Sequence, residues 1–155
     1  MNIDLQGKRA LVCGASRGIG RACAIALAQH GAEIVAAARD TDRLETLTRE
    51  LPAGEDRQHT SISVDFSDRQ ALNDALRDAT ARGSIEIIVN NSGGPAAGSA
   101  IDADPPAFED AFRQHLIADQ IILQKLLPGM KAAAYGRVIN IISTSVKEPI
   151  PGLGV

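Results

Sequence analysis

The sequence predicts a doubly wound α/β fold, one parallel sheet in the strand order 3-2-1-4-5 with helices on both faces. Three observations predict it. Short apolar runs alternate with helix-periodic segments along the whole chain, beginning with Ala10-Leu11-Val12 and then Ile19, Ala22, Cys23, Ala26 and Leu27. Right-handed crossovers between parallel strands leave few arrangements for such a chain, and 3-2-1-4-5 is the simplest. Finally, the residues with no evident structural duty fall at the carboxyl ends of the predicted strands, where sheets of this kind bind ligands: a glycine turn, Arg39, Asp65, Asn90 to Gly93, and Ser143.

The first element is the run Leu11 to Gly20. Its glycines, Gly14, Gly18 and Gly20, are spaced G-x-x-x-G-x-G between an apolar strand and a helix. The first amides of a helix lack partners and the macrodipole is positive there, so this turn can hold a phosphate where glycine lets the backbone come close. The helix is expected to run to about Gln29 with Gly31 as its cap. A second strand follows at Ile34 to Ala38. Thr41 or Asp42 starts a helix with Leu44, Leu47 and Leu51 on one face, ended by Pro52-Ala53-Gly54. Thr60 to Val64 reads as the third strand. Ser67 and Gln70 are spaced as a capping box for a helix whose face is Ala71, Leu72, Ala75, Leu76 and Ala79, up to Gly83.

Ile85 to Val89 is apolar almost throughout, as a strand buried on both faces must be. Asn90-Asn91-Ser92-Gly93-Gly94-Pro95 breaks it. Asp104-Pro105-Pro106 opens a long helix carrying Phe108, Ala111, Phe112, Leu116, Leu123, Leu126 and Leu127, with Pro128 as its expected stop. Arg137 to Ile142 is the fifth strand, Ser143-Thr144-Ser145 follows it, and Val146 to Val155 reads as loop.

The chain has 155 residues, 45% of them hydrophobic and 23% charged, with a net charge of -3, so a single domain over 1–155 is expected. No apolar stretch approaches the ~18 residues of a membrane span, and no secretory signal pattern opens the chain. Basic runs with interleaved aromatics are missing as well, which argues against a nucleic-acid partner. Cys13 and Cys23 suit buried thiols in a reducing compartment better than a disulfide, and a cytoplasmic location is expected. No residue is assigned to a metal.

Gly14-Ala15-Ser16-Arg17-Gly18-Ile19-Gly20, Asp65, Asn90-Asn91-Ser92-Gly93 and Gly136 to Ser143 together resemble the short-chain dehydrogenase/reductase family, and within it the 3-oxoacyl-(acyl-carrier-protein) reductase-like members. The resemblance implies a Rossmann-like domain and hydride transfer between a nicotinamide dinucleotide and a small carbonyl/alcohol substrate, with a 3-oxoacyl thioester as a candidate. It assigns cofactor binding to Gly14, Ser16, Arg17, Gly18, Ile19, Gly20, Arg39, Asp65, Phe66, Asn91, Ser92 and Gly93. Asp65 would meet the adenine amino group and the Phe66 backbone the ring; a turn acid or helix cap is the other role open to Asp65. Asn90 would tie the fourth strand to its neighbours.

Charge favours NADP(H), with NAD(H) as the alternative. Arg39 and Arg17 can reach the adenosine ribose and position 38 is Ala38, so guanidinium groups rather than a carboxylate await a 2'-phosphate. Asp40 could neutralise Arg39 or turn toward the ribose, and Arg39, Asp40, Asp42 and Arg43 could instead form a solvated charged turn.

Ser143 resembles the family's catalytic serine, with Thr144 and Ser145 as neighbours open to the same role. His115 stands where the family has an asparagine in its proton relay; it either carries a proton or is a half-buried helix residue. The family's tyrosine and lysine pair is missing after Ser143, since the only tyrosine, Tyr135, precedes the fifth strand and Lys147 lacks a partner. Little turnover is therefore expected of this chain, which reads as part of a longer reductase with the fifth strand as an open edge. The resemblance also implies a dimer or tetramer built through the helix at 105–127. A catalytically silent dinucleotide-binding or interaction module is the alternative.

Overall fold

Ala10 to Cys13 alternate between two apolar layers, and the strand they form, β1 (Arg9–Cys13), is the centre of the sheet. A computed structural model describes residues 3–52, 54 and 57–155. β1 pairs in parallel with β2 (Glu33–Ala38) and β4 (Ile87–Asn90), β2 pairs with β3 (Thr60–Ser63), and β4 pairs with β5 (Arg137–Asn140). The order is β3-β2-β1-β4-β5, as expected.

Two helical layers cover the sheet. α1 (Gly18–Gln29) and α2 (Thr41–Glu50) set Ala24, Ala28, Leu44 and Leu47 against Val12, Ile34 and Val89. On the other face, α3 (Arg69–Thr80) and α5 (Ala118–Ala132) set Leu72, Leu76, Ile122 and Leu126 against Leu11, Val35 and Ile88. Each fully buried leucine or isoleucine of this set contributes about 1.5–3 kcal/mol, so the paired layers carry the fold. β5 lies outside this cover, with Val138 and Ile139 each 43% exposed and Ile142 69% exposed.

Several boundaries differ from expectation, each for a local reason. β4 begins at Ile87 rather than Ile85, because the Glu86 carboxylate turns to accept the Arg9 amide at 3.0 Å. β3 ends at Ser63 and β5 at Asn140, although Val64 and Ile141 each donate one more backbone bond to the neighbouring strand. The Ser67/Gln70 capping box does not form. Asp68 caps α3 instead, its carboxylate accepting the Gln70 and Ala71 amides at 3.0 Å each, while the Gln70 side chain bonds Asp74. A carboxylate is the stronger acceptor. Of the expected stop after α2, Ala53 lies outside the described residues.

The long helix is neither single nor ended by Pro128. α4 (Pro105–Phe112) passes into one π-helical turn, Arg113–Ile117, and then into α5, which continues through Pro128 to Ala132. A proline inside a helix costs about 3 kcal/mol. Beyond it Met130 is buried against the α3 side of the sheet, which favours the longer helix. Ala134 then closes α5 in the left-handed conformation at φ 49, its amide bonding Lys131 O and the Tyr135 amide bonding Met130 O, each at 3.1 Å.

At the amino ends of the strands Arg9 staples β1, β2 and α3 to the loop that precedes β4. Its Nε bonds Glu33 at 2.8 Å, its Nη1 reaches Ala79 O and Gly83 O, and its amide takes the Glu86 carboxylate.

Candidate functional site

A cleft of about 650 Å³ opens at the carboxyl ends of β1, β2 and β4, beside the point where the strand order reverses. It brings together almost all the residues named from sequence for the cofactor, with Gly14, Ser16, Arg17, Gly18, Ile19, Arg39, Asp65, Phe66, Asn91, Ser92 and Gly93 lining it, whereas Ser143 and His115 are not among its lining residues. Gly20 sits behind the wall, buried against the glycine turn. A larger cavity of about 880 Å³ lies at the opposite end of the sheet, lined by Lys8, Arg9, His30 and Glu33. The glycine turn and Asn90 to Gly94 are at the other end, and the chemistry gathers there.

The glycine turn serves two masters. Asn91 Nδ2 donates to Cys13 O at 3.3 Å, which lays the Asn91 backbone and amide against the turn, and a Cβ on Gly14 or Gly20 would overlap Asn91 or the Gly14 carbonyl. Gly18 differs, since it holds φ 56 with open space where its side chain would be. α2 and α3 are capped by Asp40 and Asp68, whereas Arg17 at the start of α1 supplies no side-chain cap. The first amides of α1 thus face the cleft with no protein acceptor from that residue, an arrangement that fits a phosphate group.

At the end of β2 the charges sort themselves. The Asp40 carboxylate accepts the Arg43 amide at 3.1 Å and pairs with Arg43 Nε at 3.1 Å, so it neither neutralises Arg39 nor turns away from its own helix. Arg39 stands instead 3.9 Å from Asp65, with its side chain 77% exposed, a separation and exposure that make the pair weak. Asp65 is a turn acid, accepting the Ser67 amide at 2.9 Å and the Ser67 hydroxyl at 2.7 Å. Those two bonds, with Arg39 adding to them, hold its carboxyl below the usual range. Arg43 and Gln114 also line the cleft, and the sequence assigns neither of them to the cofactor. The only signal for Arg43 was its membership of a charged turn.

Asn90 does tie β4 to β5, donating from Nδ2 to Asn140 Oδ1 at 2.8 Å across paired positions. The π-helical turn places His115 Nδ1 2.6 Å from Ser92 Oγ. Ser143 begins a short 3-10 turn, Thr144–Val146, after β5, and its Oγ accepts the Ser145 amide at 3.1 Å and the Ser145 hydroxyl at 2.8 Å. With two donors already aimed at that oxygen, the Ser143 proton is the one left to donate outward. Among the described residues no hydrogen bond joins Ser143 to His115. Tyr135 lies at the far end of the sheet, its ring 4.6 Å from both Lys8 Nζ and Arg137 Cζ. Burial pushes the Asp119 carboxyl up to about 6 and drives the Cys13 thiol far above its ordinary value, with Asp119 adding to the latter.

Comparison with known proteins gives consistent findings. The short chain dehydrogenase family profile matches residues 8–155. The chain is 33% identical over 151 residues to L-xylulose reductase of Mus musculus, covering 97% of this chain and 59% of that enzyme. L-sorbose reductase from Gluconobacter frateurii, solved with NADPH and L-sorbose, superposes with a TM-score of 0.90 at 28% identity, over 97% of this chain and 57% of that one. A 3-oxoacyl (acyl-carrier-protein) reductase from Agrobacterium tumefaciens with NADP bound superposes with a TM-score of 0.88 at 27% identity, over 98% and 58%. The chain thus spans less than two thirds of the length of these relatives. Among the described residues no helix is long and apolar enough to cross a membrane.

Proposed function

The chain belongs to the short-chain dehydrogenase family, and from that premise we propose that it binds NADP(H) in the 650 Å³ cleft and serves hydride transfer between the nicotinamide and a carbonyl/alcohol pair. One observation carries the reading: the glycine turn and uncapped start of α1 face the same cleft as Arg17, Arg39 and Arg43. The α1 amides are suited to the diphosphate. The guanidinium groups of Arg17 and Arg39, with Arg43 beside them, are suited to a 2'-phosphate, and no carboxylate at position 38 opposes it. Asp65 and the Phe66 backbone would hold the adenine, and Asn91, Ser92 and Gly93 would pass close beneath the cofactor.

When bound, the nicotinamide supplies the hydride. Ser143 would donate its hydroxyl proton in a hydrogen bond to the substrate oxygen and steady the negative charge that develops there. His115 would hold the proton on the long-helix side of the cleft. No tyrosine follows Ser143, so low turnover is expected of these 155 residues by themselves. The substrate is read as a small carbonyl compound. A 3-oxoacyl thioester and a ketose are the two to compare, because similar proteins include reductases of both kinds.

The test is a titration of NADPH and then NADH into the chain, followed by the fluorescence of the cofactor, since the protein has no tryptophan. NADPH is expected to bind more tightly. Arg39→Ala should weaken NADPH by roughly tenfold to a hundredfold, the factor of one charge-assisted bond, and leave NADH unchanged. Equal binding of both cofactors, or an equal loss of both in the variant, would sink the NADP(H) assignment.

A second reading concerns assembly. Phe108, Phe112 and Leu116 follow one another at spacings of four and are 43%, 57% and 54% exposed. This row supports α4 and the π-helical turn, within the 105–127 stretch, as a surface for a second copy, in an enzyme or in a silent binding module alike. A reducing, cytoplasmic setting suits the two free thiols.

A further inference from the structure

The closest polar contact on the cleft wall joins two residues that are 23 positions apart: Ser92 Oγ and His115 Nδ1, at 2.6 Å. Ser92 lines the cleft beside Asn91 and Gly93. His115 reaches it from the middle of the π-helical turn Arg113–Ile117. Such turns are rare and favour functional places, and the local sequence Arg-Gln-His-Leu-Ile holds no glycine or proline to force one. The widened turn also brings Gln114, the preceding residue, to the same cleft.

We propose that Ser92 and His115 act as one unit whose proton placement decides whether Ser92 meets a bound dinucleotide as a hydrogen-bond donor or only as an acceptor. A serine hydroxyl has one proton. In the neutral Nε2–H tautomer Nδ1 is bare, and the hydroxyl donates its hydrogen bond to the imidazole and turns only lone pairs to the cleft. With the imidazole protonated, Nδ1–H donates to Oγ and the hydroxyl proton is released toward the ligand. Phosphate and ribose oxygens are acceptors, so the protonated pair grips a dinucleotide better. His115 is in this sense a positioning residue acting through Ser92. The inference rests on the cofactor reading above and deepens it.

Other groups near the turn act differently. On the helix itself, Asp110 is held by Arg113 at 2.9 Å, Glu109 precedes them, and Asp119 follows in the first turn of α5. From β1 the nearby group is Cys13, a thiol that burial keeps protonated. Asp119 is the one whose carboxyl burial raises to about 6, inside the pH range measured below. It therefore needs its own control.

The experiment measures the NADPH dissociation constant of the chain from about pH 8.5 to about pH 6, for the wild type and for Ser92→Ala, Ser92→Thr, His115→Gln and Asp119→Asn. The titration of the ligand itself is common to all five proteins and cancels in the comparison. The wild type is expected to tighten by about fivefold more than His115→Gln across that range, the factor of one ordinary hydrogen bond. Ser92→Ala should lose this step, Ser92→Thr should restore it, and Asp119→Asn should keep it. A step that survives Ser92→Ala, or a wild type that parallels His115→Gln, overturns the inference and leaves the cofactor reading standing. Absence of NADPH binding in every protein overturns the cofactor reading and this inference with it.

Discussion

Asp119 is a residue whose ionisation opposes folding. It is half buried, and burial raises its carboxyl from the ordinary 3.8 to about 6. Between those values the folded chain holds a proton that the unfolded chain has released, so this contribution to stability is full below about pH 4 and is lost as pH rises through about 6. Asp119→Asn should therefore stabilise the chain at pH 7.5 by about 1 kcal/mol, after allowance for solvent screening, and should do nothing at pH 4. Urea unfolding at the two pH values checks it, and equal effects at both would be the contrary result. Residues of this kind are hard to read in a sequence. Asp119 reads as a polar position on a helix, and only packing against the end of β1 brings it near Cys13. The same holds for Ser92 and His115, which were each named but not as partners, because their contact depends on a π-helical turn. The glycines and Arg39 were legible because their chemistry is local: a close backbone approach, or a charge at a strand end.

At the scale of elements, the strands and their order were legible and several ends were not. Alternating and continuous apolar runs report burial directly, so Leu44, Leu47, Leu72 and Leu76 fell on the faces their spacing implied. An end is decided by competition between neighbours. Asp68 displaces Ser67 as a cap through a stronger acceptor, and Pro128 is carried inside α5 because Met130 lies beyond it and is buried. The close of α5 offers a clean check. Ala134 holds φ 49, a conformation that burdens a Cβ by roughly 1–2 kcal/mol, while glycine accepts it freely. Ala134→Gly is expected to raise stability by roughly 0.5–1 kcal/mol once the greater freedom of glycine in the unfolded chain is deducted. A thermal midpoint unchanged or lowered by the substitution would contradict that account.

For the whole molecule, two of the exposed apolar regions among the described residues belong to different arguments. The row Phe108, Phe112 and Leu116 is a helix surface, and β5 with Ile142 is a sheet edge. If the helix row joins two copies, Phe112→Glu should shift the chain toward monomer in sedimentation velocity while NADPH affinity stays within about twofold; an unchanged sedimentation profile would remove the helix from the interface. The Arg9 staple has a consequence in time. The amide of Arg9 takes its carboxylate partner, Glu86, from 77 residues further along the chain. A ribosome adding roughly 5–20 residues each second needs about 4–15 s to reach that partner. Through that interval β1, destined for the centre of the sheet, has no β4 beside it, and the newborn chain carries this strand with one edge open. β1 therefore gains its second strand neighbour only after residues 87–90 have been made.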